Sequence, residues 1–140
     1  VAVLRAGRIV QAGRAEELYQ HPADLFVARL FSEINEIPWV VSGGALRTPL
    51  GVFAIPGTAD GDRMVLCVRQ RSIAIGAPGQ GQSARILHAK FLGDAALLEI
   101  GVQGFDKPLK ALVPEAEARR RGEDVAITVD PMRVLVFPAE

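Results

Sequence analysis

The sequence predicts a mainly β fold, a small barrel or sandwich, preceded by a short hairpin and two short helices. Three observations lead there. From Ser32 onward, strand-like runs of modest length alternate with Gly and Pro clusters. Several runs have period two, with Met64, Leu66 and Val68 on one face and Leu98, Ile100 and Val102 on another. Before Ser32 the spacing is helical, with Leu25, Phe26, Arg29 and Leu30 three and four residues apart.

In chain order, Val1 to Leu4 and Ile9 to Gln11 flank Arg5-Ala6-Gly7-Arg8, a hairpin turn by composition. Ala15 to Gln20 reads as a helix with Glu16 and Glu17 near its positive end, stopped by His21-Pro22. Pro22 is expected to open the next helix, with Asp24 in its first turn. Trp39 to Ser42, Gly43-Gly44 and Ala45 to Thr48 read as a second hairpin, followed by Val52 to Ile55 and a loop from Pro56 to Asp62. Met64 to Arg69 and Ile73 to Ile75 are extended, and Gly76 to Ser83 is turn-rich. In Arg85 to Phe91, strict alternation puts Leu87, Ala89 and Phe91 on one face and Ile86, His88 and Lys90 on the other. Gly93-Asp94 turns into Ala96 to Val102, and Leu109 to Val113 is another strand. Pro114 to Arg121 reads as a short helix capped by Gly122. Val125 to Val129, the Asp130-Pro131 turn and Val134 to Phe137 close the chain.

Composition excludes several functions. Sixteen Lys and Arg balance sixteen Asp and Glu, and aromatics are 6% of the chain, so a nucleic-acid partner is not expected. Apolar residues reach 49%, enough for a core at 140 residues. Cys67 is the single cysteine, so no disulfide forms within the chain. No apolar run approaches the ~20 residues that span a bilayer, so no direct membrane insertion is expected.

No catalytic, cofactor or metal residue is predicted. Gly76 to Ser83 is glycine-rich but lacks the Gly-Lys-Ser/Thr of a phosphate loop, and strands flank it. Ser42-Gly43-Gly44 is followed by Ala45 where an ATPase signature needs Gln. His21 and His88 lie far apart in sequence, and Asp60, Asp62 and Asp94 read as turn residues. Arg119 to Arg121 complements the end of its expected helix.

Two resemblances organise these pieces. The front, from Val1-Ala2-Val3-Leu4 through Glu16-Glu17-Leu18-Tyr19-Gln20-His21-Pro22-Ala23 to Phe26-Val27-Ala28, resembles the closing stretch of the ATP-binding subunit of an ABC importer. The remainder resembles a TOBE domain, a transport-associated OB-type barrel. The match rests on Ala89-Lys90-Phe91-Leu92-Gly93-Asp94, on Gly122 to Pro131 with its alternating strand and Asp-Pro closure, and on Val134-Leu135-Val136-Phe137. Asn35 followed by a strand and Thr48-Pro49-Leu50-Gly51 resembles ferric-iron-, polyamine- and sulfate-type importers. Where relatives show Arg-Pro-Glu after the strand, this chain has Arg69-Gln70-Arg71, which reverses a charge.

The resemblance implies residues 1–34 as the tail of an ATPase domain and 35–140 as an OB-like accessory domain. It implies that the nucleotide machinery, with ATP and Mg, lies upstream of residue 1. It further implies a transport-coupled ATPase subunit, peripheral on the cytoplasmic face of a bacterial inner membrane, that contacts membrane subunits and dimerises through this domain. A ferric-iron-type importer is the expected class. Candidate dimer contacts are Leu109, Ala111, Val113, Val134 and Val136, on apolar strands. The competing expectation is a module that senses an oxyanion or the transported solute, through Arg69, Arg71, Arg85 and Lys90.

Overall fold

The computed structural model describes residues 1–140, in two compact units, Val1–Ile34 and Asn35–Glu140.

In the first unit β1 (Ala2–Arg5) and β2 (Arg8–Ala12) pair antiparallel. Ala6 and Gly7 both have positive φ, the backbone a two-residue hairpin turn demands. Helix α1 (Ala15–Gln20) has its two glutamates in the first turn. Helix α2 (Leu25–Phe31) starts later than predicted. Asp24 is its N-cap, with Oδ1 accepting from the Val27 N–H at 2.9 Å, so Pro22 stands outside the helix. The link between the helices is pinned to the hairpin by Gln11, which donates to the His21 carbonyl and accepts from the Ala23 N–H. Val3, Leu18 and Val27 form the core here, with Phe26 packed beside them under the Arg5 guanidinium. Leu30, expected on the inner stripe, is 57% exposed, while Leu25, Val27 and Ala28 are buried.

The second unit is mainly β and OB-like. Its strands are β3 (Ile34–Val40), β4 (Ala45–Thr48), β5 (Gly51–Ala54), β6 (Arg63–Arg69) and β7 (Ile73–Gly76), then β8 (Gln82–Phe91), β9 (Ala95–Val102), β10 (Leu109–Pro114), β11 (Asp124–Val129) and β12 (Leu135–Pro138). They form a five-stranded sheet in the order β10-β9-β8-β11-β7, a three-stranded sheet β12-β6-β3, and the β4–β5 hairpin. Strand β9 shows why: Ala96, Leu98, Ile100 and Val102 are buried and the residues between them are half-buried. They meet Leu66 and Val68 of β6, Leu46 and Phe53 of the hairpin, and Ile127 of β11. Cys67 is fully buried.

Three expectations are corrected. Gly43-Gly44 makes a tight turn, but it joins only the single bridge Ser42–Ala45; β3 pairs with β6, and β4 takes β5 as its partner. Val41 bonds instead to Asp62 and Gly61 of the neighbouring loop, which diverts the chain from the hairpin. Alternation along β8 breaks at Leu87, a bulged residue between the Ile86–Ile100 and His88–Glu99 pairs. Ile86 is therefore buried, Leu87 rests over Gly101, and Phe91 is 64% exposed. The expected helix at 114–121 shrinks to one 3₁₀ turn, Glu115–Glu117. Pro114 still belongs to β10, and Gly122 is drawn to the Ile86 carbonyl at 2.7 Å, so too few residues remain to continue a helix.

Candidate functional site

A barrel with sheet edges offers two kinds of surface, strand edges and concavities between strands. The outward groups of each edge follow from backbone parity, because an antiparallel strand turns its N–H and C=O pairs alternately to either side.

On β10, Leu109, Ala111 and Val113 point into the core and are almost wholly buried, so these three predicted contact side chains are not available to a partner. Only the backbone edge could serve, and it is guarded. The Asn35 side chain donates from Nδ2 to the Lys110 carbonyl at 2.8 Å and accepts the Lys110 N–H on Oδ1 at 2.7 Å. Outward positions are therefore the even ones, and Pro108 and Pro114 fall there without an N–H. The Asn35 Nδ2 also donates to Val68 O at 3.1 Å. Sequence reasoning treated Asn35 only as part of a resemblance, because its partners Val68 and Lys110 lie far along the chain.

On β12, Ala139 N bonds to Arg63 O, which sets odd positions toward β6 and turns Val136 outward, with Pro138 at the end of the edge. Across from it, Ile55 N bonds to Gly44 O, so β5 turns Val52 and Ala54 outward. Between them lies a groove of about 350 Å³ lined by Val52, Phe53, Ala54, Val134 and Val136. Val134 and Val136 are half-buried, Val52 is 61% exposed and Met132, beside the groove-lining Pro131, is 90% exposed.

The four predicted cations do not converge. Arg69 is buried, with Nη1 donating to the Arg133 carbonyl. Arg85 lies 2.8 Å from Asp124 on the surface; the hydrogen bond and charge of Arg85 lower the Asp124 carboxyl below its usual range, and Asp124 in turn raises Arg85. Lys90 pairs with Leu97, beyond the reach of β11, on the other side of the β8 bulge. Arg71 alone lines an open concavity, joined there by Ser72, Thr128 and Arg133 but also by Glu117 and Asp130. Arg133 escaped sequence reasoning because nothing local links it to Arg71. Asp60 and Asp62 each accept a turn N–H, from Gly43 and Ala59.

Residues 61–137 match the TOBE domain family, and the chain belongs to it. The chain is 31% identical over 149 residues to the sulfate/thiosulfate import ATP-binding protein CysA of Bordetella pertussis, covering 100% of this chain and 42% of that protein. It is 29% identical over 137 residues to the Fe(3+) ions import ATP-binding protein FbpC of Streptomyces avermitilis, covering 98% and 40%. A similar protein of that name from Rhizobium etli is 38% identical over 107 residues, 71% of this chain and 30% of its own. The chain thus spans about two fifths of the length of the first two. Its fold is shared with the cytoplasmic molybdate-binding protein ModG in a molybdate-bound crystal structure, at TM-score 0.52 and 12% identity over 59% of this chain and 66% of that one. No helix is long and apolar enough to cross a membrane.

Proposed function

We propose that this chain is the C-terminal part of the ATP-binding subunit of an ABC importer, with residues 1–34 ending an ATPase domain and 35–140 forming a regulatory module. The module stabilises a dimer of subunits and carries no reaction of its own. ATP and Mg act in the upstream domain, and the subunit works with membrane partners at the cytoplasmic face of a bacterial inner membrane. Relatives named for ferric iron and for sulfate import support the importer class, and a ferric-iron-type importer is the reading we carry forward.

The observation that carries the dimer is the contrast between edges. Strand β10 is guarded by Asn35 and two prolines, whereas β12 turns the Val136 backbone outward beside an apolar groove. Two β12 edges set antiparallel about Val136 would bond its N–H and C=O to their counterparts in the second copy, with Val134 and Val136 covered. Light scattering on the chain at micromolar concentration tests this: a dimer is expected, and only monomer over that range refutes it.

The alternative is oxyanion or solute sensing. It draws on Arg71 and Arg133 in one concavity, and the carboxylates of Glu117 and Asp130 beside them weigh against it. Calorimetry with sulfate, phosphate, molybdate and ferric citrate separates the two readings, since the structural module gives no binding heat.

A further inference from the structure

At the β7 edge of the five-stranded sheet lies an open concavity of about 560 Å³. Three 3₁₀ turns meet around it: Gln70–Ser72, Glu115–Glu117 and Pro131–Arg133. They bring Arg71, Glu117 and Arg133, and Asp130 caps the third turn. We infer that this concavity binds a small zwitterion, an α-amino acid whose carboxylate and ammonium are taken together.

Two guanidiniums and two carboxylates share the concavity, yet no ion pair joins any of the four. Glu117 is bonded through its backbone carbonyl, by Arg119, and its carboxylate has no partner. Arg133 likewise uses its backbone, donating to Asp130 O and accepting from Arg69 Nη1, which leaves its guanidinium to a guest. Asp130 commits one oxygen, Oδ1, to the Met132 N–H at 2.9 Å. The floor is the paired end of β7 and β11, where Thr128 stands opposite Ala74 and Val129 opposite Ile73. Ile73 is buried and Val129 half-buried, so the alternate pair, Thr128 and Ala74, faces outward. That pair gives the floor a hydroxyl and a methyl group, with no large side chain to fill the space. The same backbone bonds hold the Pro131–Arg133 turn, and Ala118 N bonds to Glu115 O at 3.1 Å, so the charges stand on fixed turns. A preformed site lowers the ordering cost of binding a small guest. A guest of one sign meets attraction and repulsion together here: an oxyanion faces two carboxylates, and a simple cation faces two guanidiniums. A guest carrying both signs is attracted by both sets. A guanidinium also matches a carboxylate with two parallel donors.

Glycine serves as the probe, because it has both charges and no side chain. In amide NMR of the 140-residue chain, adding glycine is expected to shift Ala74 and Thr128 saturably. N-acetylglycine lacks the ammonium and glycinamide lacks the carboxylate, so each should bind about fivefold more weakly. Sulfate should bind more weakly than glycine at the same amides. Arg133→Gln and Glu117→Gln, both at exposed positions, should each weaken glycine about threefold and leave the unfolding midpoint unchanged. No saturable shift with glycine, equal binding of either blocked form, or unaltered glycine affinity in both variants overturns the inference. Tighter binding of sulfate also overturns it, and returns the concavity to the oxyanion reading. Light scattering reads association separately: a monomer that binds glycine leaves this site standing, and a dimer that does not bind it removes only this site.

Discussion

The Asn35 side chain stands against Lys110 as a neighbouring strand would, taking both its N–H and its C=O in bonds of 2.7 and 2.8 Å. A third bond, to Val68 O, ties β6 into the same amide. At 9% exposure Asn35 is a buried polar group, and its donors and acceptor are matched to partners that would otherwise lack them. Asp at this position keeps the acceptor and loses both donors, setting a carboxylate against two carbonyls. Asn35→Asp should therefore lower stability by about 3 kcal/mol. Urea unfolding would show a lower midpoint at unchanged slope, and an unchanged midpoint would refute the assignment.

Close approach predicts a contrast between two glycines. A Cβ on Gly81 would stand 2.5 Å from the Ile127 carbonyl oxygen, and backbone there cannot yield without disturbing β11. A Cβ on Gly101 would meet the Leu87 Cδ1 at 3.3 Å, the end of a side chain 40% exposed on the bulge. Gly81→Ala should cost about 2 kcal/mol or more, and Gly101→Ala less than about 0.5 kcal/mol. Thermal unfolding of the pair checks the order.

Much of this was legible in the sequence, and the failures have a common cause. Period two in β9 is local, because its two faces meet different surroundings along its whole length, whereas β11, expected to alternate from Val125 to Val129, buries Val125, Ala126 and Ile127 in succession between β8 and β7. The Leu87 bulge is not local. It accompanies the bonds of Ile86 to Gly122 and Glu123, residues far along the chain, and no pattern within Arg85 to Phe91 announces it. The same bonds ended the expected helix after Pro114. Gly43-Gly44 signalled a real turn, yet the partner of β3 was fixed by burial of Leu66 and Val68, not by the turn. At the candidate surfaces, apolar composition marked β10 and β12 alike. What separates them is the side to which backbone groups point, and whether prolines and an asparagine occupy it.

The Arg85–Asp124 pair gives a pH prediction whose sign is fixed by the direction of the shift. Asp124 titrates lower in the folded chain, first through its hydrogen bond from Arg85 and then through that positive charge. Its contribution is thus fully present above the unfolded carboxyl range near ~3.9, and is lost as pH falls through the lower folded value. Both groups are exposed, so the effect on stability is small and fades with salt. Carboxyl NMR titration should place Asp124 below the ordinary Asp range, and Arg85→Gln should return it there. An Asp124 midpoint that ignores the Arg85 substitution would contradict the pairing.

The β10 and β12 edges make different predictions when an edge charge is changed. Val136 is half-buried at the lip of the groove and turns its backbone outward, so Val136→Lys places a charge where two β12 edges would meet. Charged side chains on an edge suppress strand pairing, and one introduced at each of two symmetric positions acts twice. Dimerisation should weaken by about tenfold or more, read as a shift to monomer in light scattering at micromolar chain, and because Val136 also packs against the core the unfolding midpoint of the monomer should fall modestly. On β10, Lys110 already carries an exposed charge and its backbone is taken by Asn35. Lys110→Val should leave the association state unchanged, because removing the charge does not remove the asparagine or restore N–H groups to Pro108 and Pro114. If Lys110→Val altered the dimer and Val136→Lys did not, the contact would belong to the β10 side of the fold and the reading of β12 would fall.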